Sequence, residues 1–178
     1  MTLAALQHII RAAQALAEDR DILVLGSASL LASFPQLGNA DSPLAATYGS
    51  DLCPDPFDEL TGTMLDEALG ENRAYYLRHG YHADILRDTI LETLPAGWRE
   101  RLVSVPGCTA AHALEPHDLA VVKLLVGRPK DISLLVHLHS AGLIEAEVVR
   151  ARFDFLDIPV ELVPRLHSNF RNVFGGGK

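Results

Sequence analysis

The spacing of apolar residues changes near residue 114, and this change restricts the folds open to the chain. Before it, short apolar runs such as Ile22–Leu25 are separated by turns and loops, which is typical of buried strands. After it, apolar residues recur every three or four positions as far as Phe174, which is typical of helices. The two patterns predict one α+β domain. It has a small mixed β-sheet with flanking helices over about residues 20–113, followed by a helical extension over about residues 114–174.

Spacing and turn residues also predict the individual elements. Helices are expected over residues 3–19, 28–34, 57–69, 115–126, 131–141, 145–155 and 160–174. Strands are expected over residues 22–25, 45–52, 81–86 and 101–105, with the first two adjacent in the sheet. Asp55 is the expected N-cap of the third helix, with Pro56 in its first turn. The tail from Gly175 to Lys178 is expected to have no regular structure.

Composition and charge exclude several classes of protein. With 178 residues the chain can bury a substantial core, and 48% hydrophobic against 21% charged residues is ordinary for a globular domain. No apolar run is long enough to cross a bilayer, and the N-terminus lacks the compact apolar stretch of a signal peptide. We therefore expect a cytoplasmic protein without a membrane partner. The net charge of −8 argues against strong binding to nucleic acid, which favours a basic surface.

The two cysteines, Cys53 and Cys108, do not have the spacing of metal ligands. A disulfide between them is compatible with the sequence, but two buried thiols are the expectation for a cytosolic chain. Other patterns are missing as well. The sequence has no His-Glu-x-x-His zinc pattern, no Gly-x-Ser-x-Gly turn and no phosphate loop ending in Gly-Lys-Ser or Gly-Lys-Thr. Hydrolases and P-loop enzymes are therefore disfavoured.

A Gly-Ser pair, Gly26-Ser27, follows the first predicted strand and precedes a predicted helix. Glycine allows a close approach of the backbone, and the free N–H groups at the start of a helix attract anions. This arrangement predicts a phosphate-binding turn at these two residues. A plain turn is the alternative, because Gly-Ser pairs are common in turns.

Four motifs give the chain a resemblance to a known superfamily. They are Gly26-Ser27, Thr47–Asp51, Asp118–Leu124 and Gly127–Asp131. The chain resembles the nucleotidyltransferase superfamily, in particular the family that includes the AbiEii-type toxins of bacterial toxin–antitoxin systems. Those proteins combine a Gly-Ser strand–helix turn with a strand bearing Thr-x-Asp-x-Asp. A helical Asp-Leu-x-x-x-Lys-Leu segment and Gly-Arg-x-Lys-Asp follow, and the resemblance covers about residues 20–140.

The resemblance implies metal-dependent transfer of a nucleotide. In such proteins two aspartates lie two residues apart on a strand, so they point to the same side and hold Mg²⁺ together with nucleotide phosphate oxygens. The ions clamp the attacking and leaving oxygens, and a third carboxylate from a neighbouring strand completes the site and can act as base. The first aspartate falls on Gly49 here, so only Asp51 remains. Asp84 lies where the third carboxylate is expected, and Asp41 or Asp55 could substitute from the flanking loops.

The basic residues of the last two motifs have more than one interpretation. Lys123 lies in an apolar predicted helix, where it either contacts a nucleotide phosphate or extends its ammonium group to water. Lys130 is also a candidate phosphate contact. The alternative is that Arg128, Lys130 and Asp131 cap a helix and form a surface salt bridge.

Two functions are compatible with these residues. The first is a nucleotidyltransferase that moves a nucleoside monophosphate from a nucleoside triphosphate to a hydroxyl of RNA, protein or a small molecule. Its candidate nucleotide contacts are Gly26, Ser27, Lys123 and Lys130. Its candidate catalytic residues and magnesium ligands are Asp51 and Asp84. The second is a non-catalytic module of the same fold that binds a nucleotide or a protein partner. Gly49 favours this second function, and the resemblance implies that such a partner is antitoxin-like.

Overall fold

The chain forms a mixed α/β structure in a computed structural model that describes residues 1–18 and 20–175. It divides into two units, each of which is described by itself below. The first consists of residues 1–90 and 101–115, and the second of residues 91–100 and the chain from residue 116 onward. Two expectations, the helix end at Asp19 and the tail at residues 176–178, lie outside the described residues.

A five-stranded mixed sheet forms the centre of the first unit within the described residues. Its strands are β1 (Asp21–Val24), β2 (Gly49–Asp55), β3 (His82–Ile85), β4 (Val103–Ser104) and β5 (Ala111–Ala113). Their order across the sheet is β3-β2-β1-β5-β4. The central strand β1 runs antiparallel to β2 and parallel to β5, while β3 runs parallel to β2. Ile22, Leu23 and Val24 are at most 1% exposed, as their continuous apolar run predicts for a central strand.

Four helices belong to the described part of the first unit. They are α1 (Leu3–Ala17), α2 (Leu30–Ser33), α3 (Glu59–Leu69) and α4 (Ala74–His79). Helix α1 begins where the Thr2 hydroxyl accepts a hydrogen bond from the Ala5 N–H, and it buries apolar residues at helical spacing, including Leu6 and Ile10. Helix α1 packs against α3 and β1, and α3 also packs against β3.

Strand β2 begins and ends later than the sequence predicts. It starts at Gly49 rather than Ala45, and it continues through Pro54, which pairs with Ile22 on β1. The backbone nitrogen of Pro54 faces away from β1, on the side of β2 where β3 lies. Proline is tolerated there because the pairing with β3 ends at Leu52, so β3 offers no acceptor for the N–H that Pro54 lacks.

The capping residue of α3 also differs from the expected Asp55. The cap is Asp58, whose carboxylate accepts hydrogen bonds from the backbone N–H of Thr61 at 3.0 Å and from its hydroxyl at 2.7 Å. The backbone hydrogen bond from Thr61 is the main reason that the pKa of Asp58 is lowered. Helix α3 therefore begins at Glu59, three residues beyond Pro56.

The described part of the second unit contains helices and no strand. They are α5 (Pro116–Val126), α6 (Pro129–Ser140), α7 (Ala146–Ala151) and α8 (Val163–Phe174). Helix α8 packs against both α5 and α6. Asn169 of α8 donates a hydrogen bond to the Leu124 carbonyl at 2.7 Å, and Arg165 donates one to the Val126 carbonyl. These contacts satisfy carbonyl groups that the end of α5 leaves without helical partners.

Gly127, which follows α5, gives a test of this cap. Its φ is +67°, and a Cβ there would lie 2.4 Å from Asn169 Nδ2. We expect Gly127→Ala to lower the free energy of unfolding by about 2–3 kcal/mol, because left-handed strain is added to loss of the cap. Gly142 is a matched control, since its φ is +68° and a Cβ there meets nothing within 4 Å. In urea titrations Gly142→Ala should cost only about 1–2 kcal/mol, and equal losses at both positions would contradict the role of the cap.

The two cysteines are thiols and not a disulfide, with Cys53 buried and Cys108 half-buried. The expectation of reduced cysteines is met, although only one of them is fully buried. Burial raises the pKa of the Cys108 thiol, which favours its uncharged form. None of the helices in the described part of the chain is long and apolar enough to span a membrane.

Candidate functional site

Asp51 and Asp84 are neighbours on two adjacent parallel strands. Asp51 of β2 is in register with Asp84 of β3, and Gly49 is in register with His82. Adjacent strands lie about 4.8 Å apart, and residues two apart on a strand point to the same face. The four residues therefore occupy one patch of one face of the sheet, which we call the carboxylate patch.

The Gly26-Ser27 turn borders this patch. A Cβ at Gly26 would lie 1.6 Å from Asp51 Oδ2, so the Asp51 carboxylate lies directly against the backbone of the turn. The Leu25 N–H donates a hydrogen bond to the Asp51 carbonyl at 2.9 Å, which ties the turn to β2. A 3₁₀ turn, Ser27–Ser29, follows and leads into α2. Only glycine fits at position 26, because any side chain would collide with the carboxylate.

Gly49 lies against the side chains of β3. A Cβ there would lie 2.8 Å from His82 Nε2 and 2.9 Å from Asp84 Oδ2, and its three nearest atoms all belong to these two residues. His82 Nε2 lies 3.5 Å from Asp84 Oδ1. The His82 side chain is nearly buried, whereas that of Asp84 is 55% exposed and can reach a ligand from solvent. The space beside Gly49 is therefore occupied by a histidine–carboxylate pair.

Two buried polar atoms near the patch have no hydrogen-bond partner within the part of the chain that the structure describes. They are His82 Nδ1, on β3, and Ser29 Oγ, at the end of the turn that begins at Ser27. Buried polar groups are satisfied in most proteins, so such atoms can indicate a place where a ligand or water binds. Both lie on elements that carry or border the carboxylate pair.

A comparison with protein families, curated proteins and solved structures finds no match for the chain. The geometry of the carboxylate patch therefore carries the functional argument. Within the described residues, no group of three or more His, Cys, Asp or Glu side chains is arranged to hold a metal ion. Asp51 and Asp84 supply two carboxylates, which suits Mg²⁺, because this ion commonly takes one or two carboxylates and completes its shell with water and substrate phosphates.

The two other aspartates considered as substitutes lie elsewhere. Asp55 is at the far end of β2 from Gly49, about 20 Å along the strand, where it opposes Asp21 of β1. Asp41 is exposed in the connection between α2 and β2, with a φ of +66°. Of these three aspartates, Asp84 is the one with an atom among the three nearest to the Cβ position of Gly49.

The two candidate lysines both belong to the second unit. Lys123 is buried in α5, where its Nζ donates a hydrogen bond to Asp131 Oδ1 at 2.8 Å. Arg128 Nε donates to the other oxygen of Asp131 at 2.6 Å. Lys130, in the first turn of α6, is exposed. The ammonium group of Lys123 is thus held by an ion pair inside the unit, while that of Lys130 is in contact with solvent.

The Asp131 carboxyl has opposing influences on its pKa. Burial acts to raise the pKa, but hydrogen bonds from Arg128 and Lys123 and the charges of both groups outweigh burial and lower it. Asp131 is therefore a buried carboxylate that stays ionised because two cations surround it. Its role in the structure is to hold α5 and α6 together through Lys123.

None of the sequence motifs includes His82 or Ser29. A signal for His82 was available, because it lies two residues before Asp84 on a predicted strand and so shares its face. No comparable signal marked Ser29, since a serine after a turn is ordinary. Its significance comes from its complete burial without a hydrogen-bond partner.

Gly26 provides a test of the packing between the turn and Asp51. We expect Gly26→Ala to lower the free energy of unfolding by about 1–3 kcal/mol, because the new methyl group displaces the carboxylate. Thermal unfolding of Gly26→Ala, Asp51→Ala and the double variant measures the coupling. The double variant should lose clearly less than the sum of the single losses, because Asp51→Ala removes the colliding oxygen. Strict additivity would show that the two residues do not touch in solution.

Proposed function

We propose that the chain is a nucleotidyltransferase-like protein that binds a nucleoside triphosphate with Mg²⁺ at the carboxylate patch. The observation that carries the proposal is the Asp84 carboxylate beside Gly49. Although position 49 has no side chain, a carboxylate from β3 lies within 2.9 Å of where a Cβ would be, and Asp51 lies in register with it. Two acidic side chains then face one patch beside the Gly-Ser turn, which is the arrangement that nucleotide phosphates and a hard cation require.

The proposed reaction is the transfer of a nucleoside monophosphate to an acceptor hydroxyl. The acceptor oxygen forms a bond to the α-phosphorus, the bond from this phosphorus to the bridging oxygen breaks, and pyrophosphate leaves. Bound Mg²⁺ would neutralise the charge on the phosphate oxygens during transfer. Asp51 and Asp84 would hold the cation and orient the triphosphate. Asp84 is exposed enough to accept the hydroxyl proton, directly or through water.

The Gly26-Ser27 turn has a supporting role in this proposal. Because Asp51 lies against Gly26, a phosphate bound at the turn and a cation bound by Asp51 would be neighbours. Because the Asp51 carboxylate fills the space where a side chain of Gly26 would lie, the phosphate would be held near the turn through the cation. Lys123 and Lys130 belong to the second unit and are not part of the site proposed at the patch.

The second candidate function is a binding module that does not catalyse transfer. It is favoured by Gly49, which supplies no side-chain ligand and leaves Asp51 and Asp84, and two carboxylates suit one cation better than the two ions of a two-ion transfer. In this case the patch binds a nucleoside triphosphate, or the chain binds a protein partner of the antitoxin type. The two functions share the fold and differ in whether the bound triphosphate reacts.

One experiment separates these functions. Calorimetry with each of the four nucleoside triphosphates, with and without Mg²⁺, measures binding, and release of pyrophosphate in the presence of RNA or protein acceptors measures transfer. Magnesium-dependent binding with pyrophosphate release supports the enzyme. Binding without release supports the binding module. If no triphosphate binds at millimolar concentration in either condition, the proposal of a nucleotide site at the carboxylate patch is wrong.

A further inference from the structure

His82 is a nearly buried histidine that the proposed reaction does not use. Its Nε2 atom lies 3.5 Å from Asp84 Oδ1, and its ring forms a T-shaped contact with Tyr76, with the ring centroids 5.3 Å apart. The main chain of β3 fixes the spacing between His82 and Asp84. On β2, the lack of a side chain at Gly49 provides the space that this pair occupies. The imidazole is thus confined between a tyrosine, a glycine and a carboxylate.

The surroundings of the two ring nitrogens determine which of them carries the proton. Nδ1 is buried and has no hydrogen-bond partner among the described residues. Nε2 faces an acceptor, the Asp84 carboxylate. A neutral imidazole can therefore donate to Asp84 only in the tautomer that carries its proton on Nε2.

The lack of a side chain at Gly49 is a condition for this arrangement. A Cβ at position 49 would lie 2.8 Å from His82 Nε2 and would push the ring away from the carboxylate. Gly49 therefore lacks the carboxylate expected at its position, but it leaves space for His82, which contacts Asp84. In protein metal sites, residues that hydrogen-bond to a ligand fix its orientation, and their loss commonly lowers metal affinity 10–100-fold.

We propose that His82 is a positioning residue that holds the Asp84 carboxylate beside Gly49 in the orientation needed to bind a divalent cation. The proposal rests on the proposed function, because it assumes that Asp84 is a ligand of that cation. His82 itself touches neither the cation nor the triphosphate. Its contribution is the Nε2–H group, which restricts a carboxylate that is otherwise exposed to solvent.

The test uses Mn²⁺ with ATP as the probe, because the relaxation rate of water protons increases when the small Mn²⁺–ATP complex binds to a protein. We expect His82→Leu to weaken Mn²⁺ binding about 10-fold, since leucine retains the packing but has no N–H group. His82→Gln should restore binding to within about threefold of the wild type, because its side-chain amide can donate from a position similar to Nε2. A similar loss in both variants would mean that only the shape of the imidazole matters, and would overturn the proposal.

A matched control is available in the same sheet, on β5, which lies on the other side of β1 from β2 and β3. His112 of β5 lies 3.6 Å from Asp21, so it forms a comparable histidine–carboxylate contact away from Gly49. His112→Leu should leave Mn²⁺ affinity unchanged. Unfolding curves of all three variants show whether any loss of binding reflects loss of structure. A loss in His112→Leu equal to that in His82→Leu would overturn the specific role of His82.

A second measurement needs no metal. Long-range ¹H–¹⁵N correlation spectra of the wild-type protein distinguish a proton on Nε2 from one on Nδ1, and we expect Nε2 for His82. An Nδ1 proton would overturn the proposal. The failure of the proposed function is distinguishable from this result. If Mn²⁺ with ATP does not bind the wild type, the site is wrong, whereas binding that depends on Asp84 but not on His82 refutes only the inference about His82.

Discussion

Replacing Asp51 with asparagine is expected to weaken magnesium-dependent binding of ATP on the order of 100-fold. The substitution keeps the shape of the side chain against Gly26 but removes the negative charge that a hard cation requires. Calorimetric titration of ATP in the presence of Mg²⁺ measures the loss. Binding of ATP without Mg²⁺ should change little or improve, because a negative charge near the phosphates has been removed.

Asp55→Asn is the matched control for this prediction. Asp55 lies on the same strand, and its side chain points to the same face of the sheet as that of Asp51. It is, however, at the end of β2 that lies away from Gly49. We expect the Asp55 variant to bind ATP and Mg²⁺ as the wild type does. Equal losses in both variants would indicate a general effect of charge on the strand, and an unchanged affinity in Asp51→Asn would place the cation elsewhere.

The largest effect on stability is expected at Asp131. Asp131→Asn should lower the free energy of unfolding by about 3–5 kcal/mol, because it leaves Lys123 as a buried cation without its counter-charge. The Lys123 side chain is only 6% exposed, so water cannot replace the carboxylate, whereas Arg128, at 55% exposed, can turn to solvent. Urea unfolding followed by circular dichroism measures the loss.

The double variant Lys123→Met/Asp131→Leu separates the buried charge from other effects. Replacing both partners of a buried pair by apolar residues is often neutral, so we expect this protein to lie within about 1 kcal/mol of the wild type. A loss as large as that of Asp131→Asn would show that the pair contributes more than mutual neutralisation.

The same pair predicts how stability depends on acid. Because the pKa of Asp131 is lower in the folded chain than its usual value of 3.8, its contribution to stability is fully present above that value. The contribution is lost as the pH falls below 3.8 through the folded pKa, where the carboxylate becomes protonated and Lys123 loses its counter-charge. Between pH 5 and pH 2, the free energy of unfolding should therefore decrease more steeply for the wild type than for Asp131→Asn. Parallel curves would contradict the assignment.

The helices of the second unit were the most predictable part of the fold. Their apolar residues recur at helical spacing, and Pro129 and Pro164 stand in the first turns of α6 and α8, where proline is favoured. Strand β5 was missed because Ala111, His112 and Ala113 have neither an apolar run nor a strand-forming composition. It becomes a strand because β1 offers a parallel edge, and this depends on tertiary context.

The site shows the same division between local and distant information. Asp51 and the Gly-Ser turn were evident from local motifs, but the contact that makes position 26 exclusive to glycine is set by the pairing of β1 with β2. From the sequence alone, Gly49 indicates only that an expected carboxylate is absent. The pairing of β2 with β3 places His82 and Asp84 in the space beside it. Lys123 was expected to reach water or phosphate, and its burial against Asp131 follows from the packing of α5 on α6.

The late position of β5 in the chain has a consequence for synthesis on the ribosome. Strand β1 emerges early and can pair with β2 soon afterwards, but its other edge has no partner until β5 is made. At roughly 5–20 residues per second, the roughly 56 residues between Asp55 and Ala111 take about three to eleven seconds. During that interval the central strand, which is apolar from Ile22 to Val24, presents an unpaired edge, which is the feature that promotes aggregation of nascent chains. Chains that stop before residue 111 should therefore require a chaperone, and release after residue 113 should remove that requirement.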